Sequence, residues 1–392
     1  MRKLYILSVL FITALLLITA CNDDPTSIGE SLIPNSDKVN VDSLTITSSK
    51  ASVNSFIETI KKGTSPRLLL GKYKNIESRM LVKFFSLIPD SVLTPLKENQ
   101  IDVVDSWVEL YPEYSIGDSS NQLQFSVKHI NSGWIAKNFV WDSLQMLNYD
   151  QNDIASQFVY TDSLITFNVN TDVVKEWLRS RVDDSLPENN GLLFTPLNEG
   201  RVLGFQSVAF VVNDKAPKLK IVVHKQGAFT DTITAIPSRS VHVMDGTKPE
   251  ETPQNITLQD GLALHSKFWI DVTKIPQNSA VNKSILTFNI NVSASDEGSI
   301  KTDTLGLFFY KDSTANVVDS ASKVLLIREG DQFSGDFTRI LQRWIDGDNN
   351  QGVRIYLTDE RRALNKVVLY SNSASNIAKK PKLTVYYTEK NK

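Results

Sequence analysis

Asn170-Thr171-Asp172-Val173-Val174-Lys175-Glu176-Trp177-Leu178, continued by Asn189-Asn190-Gly191-Leu192-Leu193-Phe194 and closed by Pro217-Lys218-Leu219-Lys220-Ile221-Val222-Val223, occurs twice in altered form. The second version is Phe337-Thr338-Arg339-Ile340-Leu341-Gln342-Arg343-Trp344-Ile345, then Asn349-Asn350-Gln351-Gly352-Val353, then Pro381-Lys382-Leu383-Thr384-Val385-Tyr386-Tyr387. From tryptophan to closing proline the spacings are 40 and 37 residues. Phe337, Ile340, Leu341, Trp344 and Ile345 recur at helical spacing, with Arg339, Gln342 and Arg343 on the opposite side. The first copy places Val173, Val174, Trp177 and Leu178 inward in the same way. Asn170 or Thr171, and Ser334 or Asp336, are suited to cap these helices. So short a helix is marginal alone and must dock on something apolar. Trp177 and Trp344 are therefore expected in the core, where a buried indole removes roughly 150–250 Å² from water.

Around these blocks the chain alternates with period two. Val41 to Thr47, Met80 to Leu87, Ser106 to Tyr111, Leu164 to Val169, Leu203 to Val211 and Leu219 to His224 form a first run of strands. Thr232 to Ile236, His265 to Asp271, Ser284 to Val292, Thr304 to Tyr310, Arg354 to Leu357 and Lys366 to Tyr370 form a second. Lys225-Gln226-Gly227 falls between them as a natural boundary. The expected architecture is all-β, with two tandem antiparallel sandwiches of jelly-roll type, each carrying one short amphipathic helix. The expected modules are 41–226 and 227–392, each large enough for its own core.

The order of these motifs resembles the DNRLRE domain family. Phe84-Phe85-Ser86-Leu87-Ile88-Pro89 against Ile270-Asp271-Val272-Thr273-Lys274-Ile275-Pro276, and Ser106-Trp107-Val108 against Ser284-Ile285-Leu286, carry the likeness. The Trp helix, the Asn-Gly turn and the closing Pro-Lys-Leu strand complete it. The segment Ser132-Gly133-Trp134 to Trp141-Asp142-Ser143 resembles the family's paired tryptophans, with no counterpart in the second module. The resemblance implies a fold similar to the propeptide of transforming growth factor beta. It also implies an extracellular or wall-attached module, some members being similar to carbohydrate-binding modules.

The N-terminus adds the location. Met1-Arg2-Lys3 is basic, Leu4 to Leu17 is apolar, and Ile18-Thr19-Ala20-Cys21 places small residues before a cysteine. This matches a bacterial lipoprotein signal over 1–20, cleaved between Ala20 and Cys21, with Cys21 lipidated. Several acyl chains anchor a protein essentially permanently, at about 0.8 kcal/mol per buried CH₂. Residues 21–40 are polar, with Asp23, Asp24, Pro25, Gly29 and Pro34, and suit a flexible tether reaching about 25 Å. Acidic residues after the cysteine resemble surface-export signals of Gram-negative lipoproteins, and the first residues resemble an uncharacterised Gram-negative lipoprotein family. The expected location is the outer membrane, surface-exposed. Cys21 is the only cysteine, which excludes an intramolecular disulfide and a Cys-based zinc site. Removing Arg2 and Lys3 from the 42 basic residues leaves 40 against 44 acidic ones, and no basic face argues for nucleic acid.

No sequence pattern marks chemistry. His129, His224, His242 and His265 are far apart and lack metal spacing; there is no nucleophile elbow, phosphate loop or cysteine nucleophile. No cofactor is expected. Asp346-Gly347-Asp348-Asn349-Asn350 alternates oxygen ligands as a calcium loop does, but its glycine is displaced and no Glu follows at the twelfth place, so a helix-ending turn explains it better. Trp134, Trp141 and Tyr149 lie in a long connection, where aromatics either stack on sugar rings or pack locally. The expectation is a non-enzymatic envelope lipoprotein with a structural or adhesive role and surface proteins as partners. The alternative is a carbohydrate-binding lipoprotein of a polysaccharide-uptake system; a hydrolase is the third.

Overall fold

Alternation decides the strands. Ile165-Thr166-Phe167-Asn168-Val169 buries every other side chain, and Lys218 to Val223 does the same. The computed structural model describes residues 41–47, 54–208 and 215–389. In chain order the strands begin with β1 (Asp42–Ile46), β2 (Asn54–Ile57), β3 (Arg67–Tyr73), β4 (Ile76–Phe85), β5 (Asp102–Leu110) and β6 (Pro112–Gly117). Next come β7 (Phe125–His129), β8 (Ala155–Tyr160), β9 (Ile165–Val169), β10 (Leu192–Pro196), β11 (Arg201–Gln206), β12 (Lys218–Lys225) and β13 (Phe229–Gly246). The rest are β14 (Asn255–Gln259), β15 (Leu264–Phe268), β16 (Ala280–Asn289), β17 (Thr304–Asp312), β18 (Val317–Val318) and β19 (Val324–Glu329). β20 (Gln332–Asp336), β21 (Val353–Leu357), β22 (Lys366–Tyr370) and β23 (Lys382–Thr388) end the chain.

These strands build two antiparallel β-sandwich modules with separate cores. Phe125, Phe167 and Phe194 meet in the first, with Phe125 5.6 Å from Phe167 and 5.9 Å from Phe194. Phe268 and Phe288 meet edge to face at 4.8 Å in the second. The first sheet runs β6-β11-β3-β4-β13-β12-β5-β9-β8, with β10 attached to β4 and β7 to β10. The second runs β1-β23-β16-β20-β19-β17-β21-β15-β14-β22, with β2 on β15 and β18 on β17.

The tryptophan helices sit where their apolar faces require. Thr171–Arg179 packs on β5 and buries Val174, Trp177 and Leu178; Thr338–Ile345 packs on β16 and buries Ile340, Leu341, Trp344 and Ile345. The Asn170 side chain caps the first helix by accepting from Asp172 N at 2.8 Å. In the second, Asp336 Oδ1 accepts from Thr338 N at 2.8 Å. After each helix the Asn-rich turn does the same work twice. Asn189 Oδ1 accepts from Gly191 N and its Nδ2 donates to Phe84 O; Asn350 does likewise with Gly352 N and Ile270 O. Gly191 (φ +93°) and Gly352 (φ +82°) follow, and a Cβ at either would strike the carbonyl of Val82 or Phe268. A third helix, Asp90–Lys97, was not legible, because Pro89 and Pro95 flank and interrupt it like chain breakers.

The expected boundary at 226/227 requires correction. Lys225-Gln226-Gly227 is a hairpin turn inside the first sheet, with Ala228 N bonded to Lys225 O and Gly227 at φ +71°. β13 therefore belongs to the first module, pairing with β12 and then with β4. The strand expected to open that module, β1, instead pairs with β23 at the other end of the chain, and β2 pairs with β15. A glycine turn looks the same in sequence whether it joins modules or strands. Alternation likewise does not say which sheet a strand completes.

The modules are locked together by a buried polar chain. Tyr114 Oη donates to Asn365 Oδ1 (2.9 Å) and accepts from Leu364 N (3.0 Å). Asn365 Nδ2 then donates to Thr302 Oγ1, whose hydroxyl donates to Asp260 Oδ2 at 2.8 Å. Around it Leu69, Ile76, Ile116 and Val202 pack on Leu262, Ala363 and Leu364. Burial, and then the neighbouring Asp359, push the Asp260 carboxyl well above the usual range.

The two indoles differ in one bond. Trp177 Nε1 donates to His129 Nε2 at 3.0 Å, whereas Phe309 occupies the matching strand position beside Trp344, whose Nε1 is buried without a partner. Trp177→Phe strips His129 Nε2 of its donor and is expected to cost about 1–3 kcal/mol beyond the loss of packing. Trp344→Phe loses no hydrogen bond. Chemical denaturation of both variants is expected to show the larger loss for Trp177→Phe; equal losses would refute the distinction.

Candidate functional site

The largest chemical variety gathers where the modules meet. The end of β2 with residues 58–62, the helical turn Trp141–Met146 and the end of β13 enclose a cleft of about 260 Å³. Ile57, Ile60, Val140, Val243, Met244 and Leu262 supply its apolar wall; Glu58, Lys62, Asp142, His242 and Asp245 supply polar groups. Each comes from a segment whose strand is fixed elsewhere, so the cleft is preformed.

Lys62 is only 8% exposed. Burial lowers its amine from the ordinary 10.5 to about 8, against the opposing pull of Glu360. Glu360 also bonds to His265 Nε2, so Glu360 stands between Lys62 and His265 behind the cleft. His242 is fully buried; desolvation, and then Lys62, hold it well below its usual range and keep it neutral. Glu58 is fastened on both sides, its N bonded to Ala263 O at 3.0 Å and its carboxylate 3.4 Å from Arg354. Trp141 is half-buried, with the Arg79 guanidinium 4.9 Å from its ring centre. A half-exposed ring, a cation and three carboxylates around a small cleft suit hydrogen bonding to a compact polar ligand.

The residues singled out in the sequence fall as follows. Trp134, Trp141 and Tyr149 do come together, but as a satellite core under the 131–150 connection, with Leu81, Ile130, Phe139, Leu193 and Val241. Trp134 is 5% exposed, donates Nε1 to Asn190 O at 2.8 Å and has Arg239 over its ring, so it offers no face to a sugar. That corrects the platform expectation for Trp134. Tyr149 is half-buried under Lys128, and Trp141 alone reaches the cleft. The calcium-like turn spends its oxygens on the protein. Asp348 accepts from Arg343 Nε at 2.7 Å, Asp346 from Gln342 at 2.9 Å, and Asn350 from Gly352 N. Among the described residues no three His, Cys, Asp or Glu side chains are grouped to hold a metal ion. Ala20 and Cys21 lie outside the described residues. The sequence did not single out Glu58, Lys62, Asp142 or Asp245, since no spacing links segments brought together only by folding.

No family model and no curated protein matches the chain. Among solved structures it is similar to the C-terminal domain of the AgI/II polypeptide BspA of Streptococcus agalactiae, at 7% identity and a TM-score of 0.19. The match spans 83% of this chain and 91% of that one, and at that score it carries no argument about function.

Lys62 sets a pH dependence. Its folded-state pKa lies below the unfolded value, so between about pH 8 and 10.5 the unfolded chain holds the extra proton and stability rises with pH. Below pH 8 its charge is a burden that Lys62→Met removes, on the order of 3 kcal/mol at about 1.4 kcal/mol per unit. The stability advantage of Lys62→Met over the parent is expected to shrink across that window in parallel urea titrations. A constant difference would exclude a charged, buried Lys62.

Proposed function

We propose that the chain is a non-enzymatic, lipid-anchored protein of the cell envelope, at the outer membrane and exposed at the surface. Its two sandwich modules, similar to DNRLRE modules, would form one rigid structural or adhesive body. The observation that carries this reading is where the tether ends. β1, which follows the expected lipidated segment, is hydrogen-bonded along β23 of the far module, and the modules are bonded to one another through Tyr114 and Asn365. Load on the anchor is thereby shared by the whole body. Cys21→Ser is expected to move the protein from the membrane to the soluble fraction of lysed cells; full retention on membranes would overturn the anchor. Protease treatment of intact cells is expected to degrade the anchored protein, and protection would place it facing inward.

A second reading, carbohydrate recognition in a polysaccharide-uptake system, is favoured by Trp141 standing beside Asp142, Asp245 and Lys62 at the cleft. It predicts binding on a glycan array that Trp141→Ala reduces at least tenfold with the fold intact. Absence of binding across the array retires it.

A further inference from the structure

Strand pairing alone superposes the two modules. β3, β4, β5 and β7 correspond in pairing to β14, β15, β16 and β17, and β9–β12 to β20–β23; the additions are β6 on β11 in the first module and β19 and β18 on β17 in the second. Each body leaves two seats to be closed, one along its last strand and one along its second. In the first module β13 fills both, running from β12 across to β4. In the second, β1 fills the seat on β23 and β2 the seat on β15. The registers coincide. Ala235 lies opposite Leu219 and Ile233 opposite Ile221, while Ile46 lies opposite Leu383 and Leu44 opposite Val385. Pro217 and Pro381 set the common frame just before those strands, and the sequences agree: Asp231-Thr232-Ile233-Thr234 against Asp42-Ser43-Leu44-Thr45.

Chain order gives this its meaning. Residues 42–57 precede a short linker (58–66) and the body opened by β3; residues 229–246 precede a similar linker (247–254) and the body opened by β14. Each unit thus carries a closing segment ahead of its own body, yet in space each segment closes the other body. We propose that the chain is two copies of one unit that have exchanged their N-terminal strands, and that each strand seat recognises the closing segment of a second copy of the unit. Linker length does not force the exchange. Nine residues reach about 30 Å, more than the roughly 23 Å length of a seven-residue strand such as β3, so closure on the same unit is also within reach. Contacts of the linker select the exchanged form: Ser65 donates to Arg361 O, Arg361 donates to Thr64 Oγ1 at 3.0 Å, and Glu58 N bonds to Ala263 O. This is strand swapping of the kind that joins two protomers, made permanent by fusing them.

Paired cysteines in the full chain test it, in a Cys21→Ser background that removes the only native thiol. Thr45 faces Thr384 in the exchanged form, whereas closure on the same unit would put it opposite Lys220, which matches Thr384 in the frame of the two prolines. Opposed antiparallel positions lie within disulfide reach. A protease site placed in the open turn at Gly227 separates the halves covalently. Thr45→Cys with Thr384→Cys is expected to form a disulfide in a single chain, and the cut halves to migrate together on a non-reducing denaturing gel. Thr45→Cys with Lys220→Cys is expected to stay reduced, and the cut protein without cysteines to elute as one species until denatured. Cross-linking by the second pair, cross-linking by the first pair only between separate chains, or separation of the cut halves in native buffer would each overturn the proposal.

Discussion

An unpaired strand edge cannot be left open in a β-sandwich without inviting whatever strand comes near. Both modules depend on covering the same two edges. In the first, one continuous strand does so immediately after a tight turn, pairing locally with β12 over Phe229 to Ala235 and then with the distant β4 over Ile236 to Gly246. In the second, Asp42 must find Tyr387, so the sheet closes only when the two ends of the described chain meet. Contacts so distant in sequence are slow to form because the loop entropy is lost before the contact repays it.

The interface follows from that dependence. A strand that leaves one module and enters the other draws residues 58–66 across the junction, and the junction is filled by fixed polar partners rather than by apolar surface alone. Each hydrogen bond in the Tyr114, Asn365, Thr302 and Asp260 series contributes only about 0.5–1.5 kcal/mol, but an orphaned buried member costs about 1–3 kcal/mol. Such a chain tolerates one relative orientation and penalises the rest. Asp260 fits this: desolvation, and then the nearby Asp359, raise its carboxyl well above the usual range, the direction that lessens the cost of burying it.

The internal duplication was readable because its carriers act locally. A helix of period 3.6, an asparagine that holds its own turn, and a glycine that cannot bear a Cβ leave marks at fixed spacing, and Trp177 and Trp344 are both buried where that pattern puts them. What failed to show was partnership. Nothing in Asp42-Ser43-Leu44-Thr45-Ile46 says which sheet it joins, because its alternation serves either seat equally. Trp134 and Trp141 look equivalent in sequence, yet one is sealed under Arg239 and bonded to Asn190 while the other reaches the cleft. Lys62 looks like half of a solvated Lys-Lys pair until the fold buries it beside His242.

The modules have diverged around a shared plan, and the divergence locates the chemistry. His129 under Trp177 and Phe309 under Trp344 occupy the same place, so one indole is held by a hydrogen bond and the other by ring contacts. Between β7 and β8 the first module inserts the 130–154 connection with its satellite core; the matching interval between β17 and β19 is a short excursion through β18. That insertion supplies Trp141 and Asp142 to the cleft, while the linker after β2 supplies Glu58 and Lys62 and β13 supplies His242 and Asp245. The cleft is consequently a product of both events, the strand crossing and the insertion on one side. A module alone has half of its wall, so the cleft exists only in the joined body and not in either sandwich by itself.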